Sequence, residues 1–384
     1  MSSASPLAPQ PARQVRGTAP PPFSTPDSGV AGLRGTRPCA ADARAMDPAE
    51  SVLAVLVAAL ALVSLLSNAL VLLCVARSAE IRRQAPGVLT ANLSVCNALV
   101  AALNMPATLL GIVAGHQPVG DRLCRALGFL ETLLSANAML SVAALGVDRW
   151  VAVVFPLSYA SKMRPRDAAL MLAFAWLHSL AFSAAPSLLS WADYHGAYAS
   201  CTLRPSAGAA RAAFAAFCVA FHACTFALAL LTLCFAYVKV LRVARLHCRR
   251  IDVITMQTLL LLVDIQPSVK RRCLAEQRRR RRRATRKISV FIGSFVFCFG
   301  PYVATRLAEL LPFVEVERHW GIVSRCLAYS KAASDPFAYC LLRQQYRKVL
   351  LRLVHRLLQR DPPPSSRHSG SLDTEPDCCP QRPR

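Results

Sequence analysis

SVLAVLVAALALVSLLSNALVLLCVA, residues 51–76, contains no charged side chain. About 20 apolar residues in a helix cross the hydrocarbon core of a bilayer, so this stretch reads as a membrane span. Working outward from it, six more apolar stretches follow at 84–115, 124–155, 168–192, 210–240, 286–312 and 321–342. They are rich in Leu, Ala and Val and lack the two-residue alternation of barrel strands. Lipid offers no partner to an open backbone, so helices are the reading. The third holds Glu131 alone between Ala126 and Val147, and the seventh carries Lys331 and Asp335. The predicted fold class is all-α, a seven-transmembrane helix bundle over 51–342. A further apolar patch, Met256–Val263, is too short to span and reads as a helix within a loop.

The composition of the 384 residues agrees. They are 54% hydrophobic and only 17% charged, with a mean hydropathy of +0.37, which excludes an ordinary soluble domain, a disordered chain and a small disulfide scaffold. Most of the 15 cysteines lie in apolar runs, where a thiol behaves as a small hydrophobe. The net charge of +24 would suggest nucleic acid in a soluble protein. Here its placement points to a membrane. Residues 77–83 net +2, the segment 148–167 nets +2, residues 239–287 hold 16 basic against 3 acidic side chains, and the tail from Arg343 nets +5. The alternate connections are nearly neutral. This asymmetry puts the amino terminus outside and the tail in the cytoplasm of a multi-pass plasma-membrane protein.

Residues 1–45 carry eight prolines and cannot build a core, so 1–50 is predicted to be a disordered extracellular tail. Five arginines there also fit a weak transit-peptide pattern, and Met46 offers a second start. Asn92-Leu93-Ser94 lies inside the second span, out of reach of glycosylation. The segment 241–285 is predicted to be a basic cytoplasmic loop. Residues 343–360 repeat Leu and Val at helical spacing between basic residues, as in a short amphipathic helix lying on the membrane surface. Residues 361–384 read as a disordered cytoplasmic tail, whose Ser365, Ser366, Ser369 and Ser371 are candidate phosphorylation sites. Cys378 and Cys379 form a weak acylation motif.

Asp148-Arg149-Trp150 ends the third span and Asp335-Pro336-Phe337-Ala338-Tyr339 ends the seventh. Cys298-Phe299-Gly300-Pro301 sits in the sixth, Ser67-Asn68 in the first and Trp176 in the fourth, while Cys124 opens the third and Cys201 lies in the outer loop after the fourth. Together, in this order, these residues resemble the rhodopsin-like family of G-protein-coupled receptors over about 50–355, and within it a small orphan branch with no settled ligand. The resemblance implies a receptor that activates a heterotrimeric G protein, with a lean toward the cAMP-raising Gs type, and with arrestin and receptor kinases as partners of the Ser-rich tail. It also implies a Cys124–Cys201 disulfide and an activation switch of Asp148, Arg149, Trp150, Tyr237, Asp335, Pro336 and Tyr339. An ionisable group such as Arg149 at a membrane edge is costly and functional by default; Asp148 beside it can hold it inactive. Pro336 removes a backbone donor and bends its helix.

Departures from the family pattern are as informative. Asn97 stands where an aspartate usually binds sodium, Ala138 where a serine helps it, and Lys331 at a normally neutral position. Lys331 and Asp335 are four apart and share a helix face. The expectation is a core polar network of Asn68, Asn97, Lys331 and Asp335 in which the ammonium replaces the sodium ion, balanced by Asp335 and hydrogen-bonded by Asn97. Phe299 replaces the usual tryptophan of the sixth span. Arg281 stands where an acidic residue often latches the third-span arginine, and its charge would repel Arg149. A weakened inactive state, and hence ligand-independent activity, is expected. The fifth span lacks its usual proline near Ala229, which puts its bulge in doubt.

The candidate ligand pocket holds Glu131, Phe299, Tyr302, Arg306 and Tyr329. Glu131 can bind a ligand ammonium against the aromatic wall, can be neutralised by Arg306, or can face water; an acidic or lipid ligand on Arg306 stays open. The ligand is unknown. The run Gln277–Lys287 reads as a positive segment held by anionic membrane lipid. It lacks the aromatic interleaving of a nucleic-acid site. A transporter or channel would show repeats and several midplane charges, and an enzyme would need a paired nucleophile and base; His178 and His222 are lone histidines that read as core residues. No catalytic function, metal or cofactor is expected.

Overall fold

The computed structural model describes residues 47–204, 210–261, 291–338 and 344–358. Arg281, Tyr339, the serines of the tail and the paired cysteines Cys378 and Cys379 lie outside them, as do Met46 and the run Gln277–Lys287. Helix α1, Pro48–Arg77, begins at Asp47, whose carboxylate accepts from the Ala49 amide at 3.3 Å, with Pro48 in the first turn. Val52, Val55, Leu62 and Leu66 are more than 60% exposed on one side, whereas Ser64, Ser67 and Asn68 are buried on the other. That inversion of a soluble helix is what lipid demands: apolar groups face the solvent, and polar ones find partners inside.

Helix α2, Ala85–Ala114, contains a wider π-type turn at Val100–Asn104 just before Pro106, and Gly115 stops it at φ 72°. Helix α3, Asp121–Val154, is the most buried and packs against α2. Helix α4, Pro165–Leu188, starts with the Asp167 carboxylate accepting from the Arg164 amide at 2.8 Å. It stops short of the expected 192. Ser190 adopts φ 56°, and the chain turns into strand β1, Ala192–His195, antiparallel to β2, Ser200–Leu203. Each strand is only four residues long, and β2 is buried throughout whereas only Ala192 of β1 is, so no alternation marks the hairpin in the sequence.

Helix α5 covers 210–261 with a π-type turn at Ala223–Ala227. Two expectations are corrected here. The bulge is present without a proline; the Thr225 hydroxyl within it meets the His178 ring of α4 at 2.9 Å and holds the widened turn. The helix also continues through Leu261, so neither the expected loop at 241–285 nor a separate helix begins where apolarity ends. Residues 241–261 contain no Gly or Pro to stop it. Helix α6 is described over Phe291–Ala308 and includes Pro301; helix α7 is Arg318–Pro336, and α8 is Gln344–Leu358. Among the described residues, α1 to α6 are the six long enough and apolar enough to cross a membrane. Helix α7 is the seventh, with a composition lowered by Arg318, Arg325, Lys331 and Asp335, which all find partners inside the protein.

The hairpin covers one end of the bundle. A disulfide between Cys124 of α3 and Cys201 of β2 ties it down. Gly111 of α2 and Gly321 of α7 lie so close beneath the Ala199 and Ala197 carbonyls that a Cβ on either would collide with the hairpin backbone. Asp148 and Arg149 mark the opposite end.

Candidate functional site

Beneath the hairpin lies a cavity of about 70 Å³, lined in part by Glu131, Phe299, Tyr302, Arg325 and Tyr329. The Arg325 guanidinium forms an ion pair with Glu131 at 2.5 Å. It also donates to the Tyr329 hydroxyl at 2.9 Å and the Tyr302 hydroxyl at 3.3 Å, and lies over both rings. Tyr302 donates to Glu131 at 3.2 Å, and Tyr329 shares a 2.9 Å hydrogen bond with Thr108. The centre is therefore an aromatic box that already contains a cation and its counter-ion.

This corrects the expected partnership of Glu131 with Arg306. Arg306 is one helical turn nearer the hairpin than Tyr302, and from there it pairs with Glu309 at 2.7 Å, bonds the Leu203 carbonyl and faces the Tyr198 ring. It does not line the cavity. Glu309 also receives His195 of β1 at 2.6 Å and the Tyr198 hydroxyl at 3.3 Å. Burial alone would raise the Glu309 carboxyl, but the His195 hydrogen bond, the Arg306 charge and the Tyr198 hydroxyl hold it below the ordinary carboxylate value. Arg325 is the residue that the sequence reading does not single out. The signal was available, because an arginine within a span is a functional flag by the rule that marks Arg149.

One turn deeper, Lys331 and Asp335 form a buried ion pair. The Asn97 amide donates to the other Asp335 oxygen at 3.2 Å, so it braces the carboxylate rather than the ammonium, as the carboxylate is the acceptor. Asn68 donates to the Ser64 and Ala332 carbonyls at 2.8 and 3.0 Å, joining α1 to α7 beside the pair. A second polar belt, absent from the sequence expectations, joins α2, α3 and α4. Trp176 donates to Asn92 at 2.9 Å, and the Asn92 amide donates to Asn137 at 2.7 Å and Ser141 at 2.9 Å. His222 bonds the Cys218 carbonyl at 2.7 Å, so both lone histidines have structural partners.

At the far end, Arg149 lies 3.5 Å from Asp148; its side chain is 37% exposed, that of Asp148 only 1%. The other Asp148 oxygen accepts from Tyr159 at 2.7 Å. Trp150 packs edge-on against Phe155 and Phe235, and Tyr237 is buried with its ring against Phe291. Pro336 closes α7.

A bundle of seven spanning helices, with a disulfide-tied hairpin over one end and an Asp-Arg pair at the other, defines a membrane receptor. Residues 67–339 match the 7 transmembrane receptor (rhodopsin family) pattern, and the chain belongs to that family. It is 62% identical to G-protein coupled receptor 26 of Homo sapiens over 310 residues, covering 81% of this chain and 91% of the relative. It is 55% identical to G-protein coupled receptor 78 of Homo sapiens over 328 residues (85% and 90%), and 24% identical to 5-hydroxytryptamine receptor 4 of Cavia porcellus over 312 residues (79% of each). The protein is thus a multi-pass plasma-membrane receptor of an orphan branch, and not an enzyme.

Proposed function

We propose that this receptor activates a heterotrimeric G protein, with appreciable ligand-independent activity and a lean toward Gs and cAMP. The amino terminus lies outside, 361–384 and the 241–285 connection inside, and α8 rests on the inner membrane surface. Activation moves α6 outward about Pro301, Arg149, Tyr237 and Tyr339 rearrange, and the carboxy-terminal helix of the Gα subunit enters. Arrestin and receptor kinases act on the serines of the tail. The observation that carries self-activity is the pair of Glu131 and Arg325. It fills the position of a ligand ammonium and its acid, and leaves a cavity far below the ~300 Å³ at which small-molecule sites begin. An amine ligand, as the name of the 5-hydroxytryptamine receptor would suggest, would have to displace a guanidinium. Arg281, in place of an acidic latch, supports the same reading.

The test is basal cAMP in cells expressing the Met46-start chain, against an equally surface-expressed Arg149→Ala form. Elevated cAMP that is lost in the variant is the expected result. Equal cAMP in both forms would refute Gs self-activity.

A further inference from the structure

Between α3, α4 and α5, on the outer surface of the bundle, lies an apolar groove of about 530 Å³. Ala143, Ala144 and Ala229 form its floor, and Val147, Phe174 and Thr232 its walls. The Thr232 hydroxyl is turned back to the Leu228 carbonyl at 2.8 Å, so the groove presents little polarity. Phe174 is 56% exposed at its edge, where the surroundings are lipid.

The Arg149 end of the groove is different. Trp150 is three residues beyond Val147, and Phe235 three beyond Thr232, so both continue the groove walls by about one helical turn. Their rings meet at 5.5 Å. The Trp150 indole N–H is buried and has no hydrogen-bond partner among the described residues. Two ammonium groups flank it through aromatic neighbours. Lys239 lies 5.4 Å from the Phe235 ring, and Lys162 lies 3.8 Å from the Phe155 ring, which also packs on Trp150.

We infer that this groove holds one acyl chain of an anionic glycerophospholipid of the inner leaflet, with Lys162 and Lys239 drawing its charged headgroup to the Trp150 end. An apolar trough that ends beside two cations has the polarity sequence of such a lipid from tail to headgroup. Tryptophan and lysine occupy this depth in membranes because a ring with a polar edge and a long basic side chain both suit the headgroup boundary. A sterol would use the groove and leave the charges idle. A free phosphate would use the charges and leave the groove empty. The assignment to the inner leaflet rests on the orientation proposed above; the binding itself does not.

The experiment places the full chain in nanodiscs of phosphatidylcholine doped with phosphatidylserine of the same acyl chains, and counts retained lipids by native mass spectrometry. Nanodiscs expose both leaflets, so a wrong orientation would not alter the result; accessibility of epitope tags at each terminus in intact cells tests orientation separately. Retention of phosphatidylserine over phosphatidylcholine is expected, falling about fivefold with each of Lys162→Gln and Lys239→Gln. Val147→Phe and Thr232→Phe, which fill the groove, should lower retention of both lipids. Equal retention of the two lipids by the native chain would overturn the inference. So would a preference undiminished in the double lysine variant, equal binding of chain-free glycerophosphoserine, or undiminished retention in the filled grooves. Should a filled-groove form fail to fold, the two lysine variants, which alter only charge at the surface, still decide.

Discussion

The two ends of the bundle are held very differently. Under the hairpin, Glu131, Arg325, Tyr302 and Tyr329 interlock, Glu309 gathers Arg306, His195 and Tyr198, and a disulfide fixes the cover. At the other end, Arg149 has a single neighbouring carboxylate among the described residues, at 3.5 Å, and is more than one-third exposed. A buried, fully partnered charge network is stiff, because every member lost leaves another uncompensated. Only the Arg149 half of its pair is solvated, and Asp148 keeps the Tyr159 hydrogen bond when Arg149 moves away; even a well-placed exposed pair contributes only on the order of 0–1 kcal/mol. The comparison teaches where motion belongs: the covered end acts as a fixed frame, and the Arg149 end is the part cheap to rearrange.

The largest effect should come from breaking the frame. Arg325→Ala leaves Glu131 buried without its counter-ion and should cost on the order of 3–5 kcal/mol, read as a lower melting temperature of purified receptor. Adding Glu131→Gln should recover a large part. A strictly additive double variant would show that the pair is not coupled.

Next comes the network between the two ends. Basal signalling should not respond to replacing external and internal sodium with choline, because Lys331 already supplies the cation beside Asp335. The double change Lys331→Asn with Asn97→Asp should create a sodium response of about fivefold or more. A sodium effect in the native chain that disappears in Lys331→Ala would sink this account.

At the soft end, Tyr159→Phe removes the hydrogen bond that steadies Asp148. Bonds to charged groups contribute about 1.5–3 kcal/mol, and 1.4 kcal/mol shifts an equilibrium tenfold. Basal cAMP should rise at equal surface expression. An unchanged level would mean that Asp148 is held equally in both states.

The smallest effect is that of acid on the cover. The Glu309 carboxyl is depressed in the folded protein, so its contribution is present above its unfolded value of about 4.3 and fades as pH falls through the lower folded value. Melting temperature should therefore hold from pH 8 to 5 as far as Glu309 is concerned and decline below about pH 4. Glu309→Gln should flatten that decline.

Length of apolar run and loop charge made the bundle legible, because a bilayer imposes both directly. Helix ends were less legible. Apolarity reports where lipid stops, whereas the backbone continues until a residue breaks it, and nothing between 241 and 261 does. The Lys331–Asp335 pair was readable from its spacing within one helix. Glu131 with Arg325 was not, since their relative depth depends on how α3 and α7 are seated. The bulge of α5 carries no proline to mark it in the sequence; the Thr225 hydroxyl within it instead meets the His178 ring of the neighbouring helix.

The bare backbones of Gly111 and Gly321 carry one last consequence. Each is a place where one added methyl acts as a wedge under the hairpin, prying the cover from its frame without touching a charged group. A Gly111→Ala or Gly321→Ala receptor is therefore a chemically minimal way to unseal the mouth. Compound libraries screened against it would meet an entrance that the native protein keeps shut.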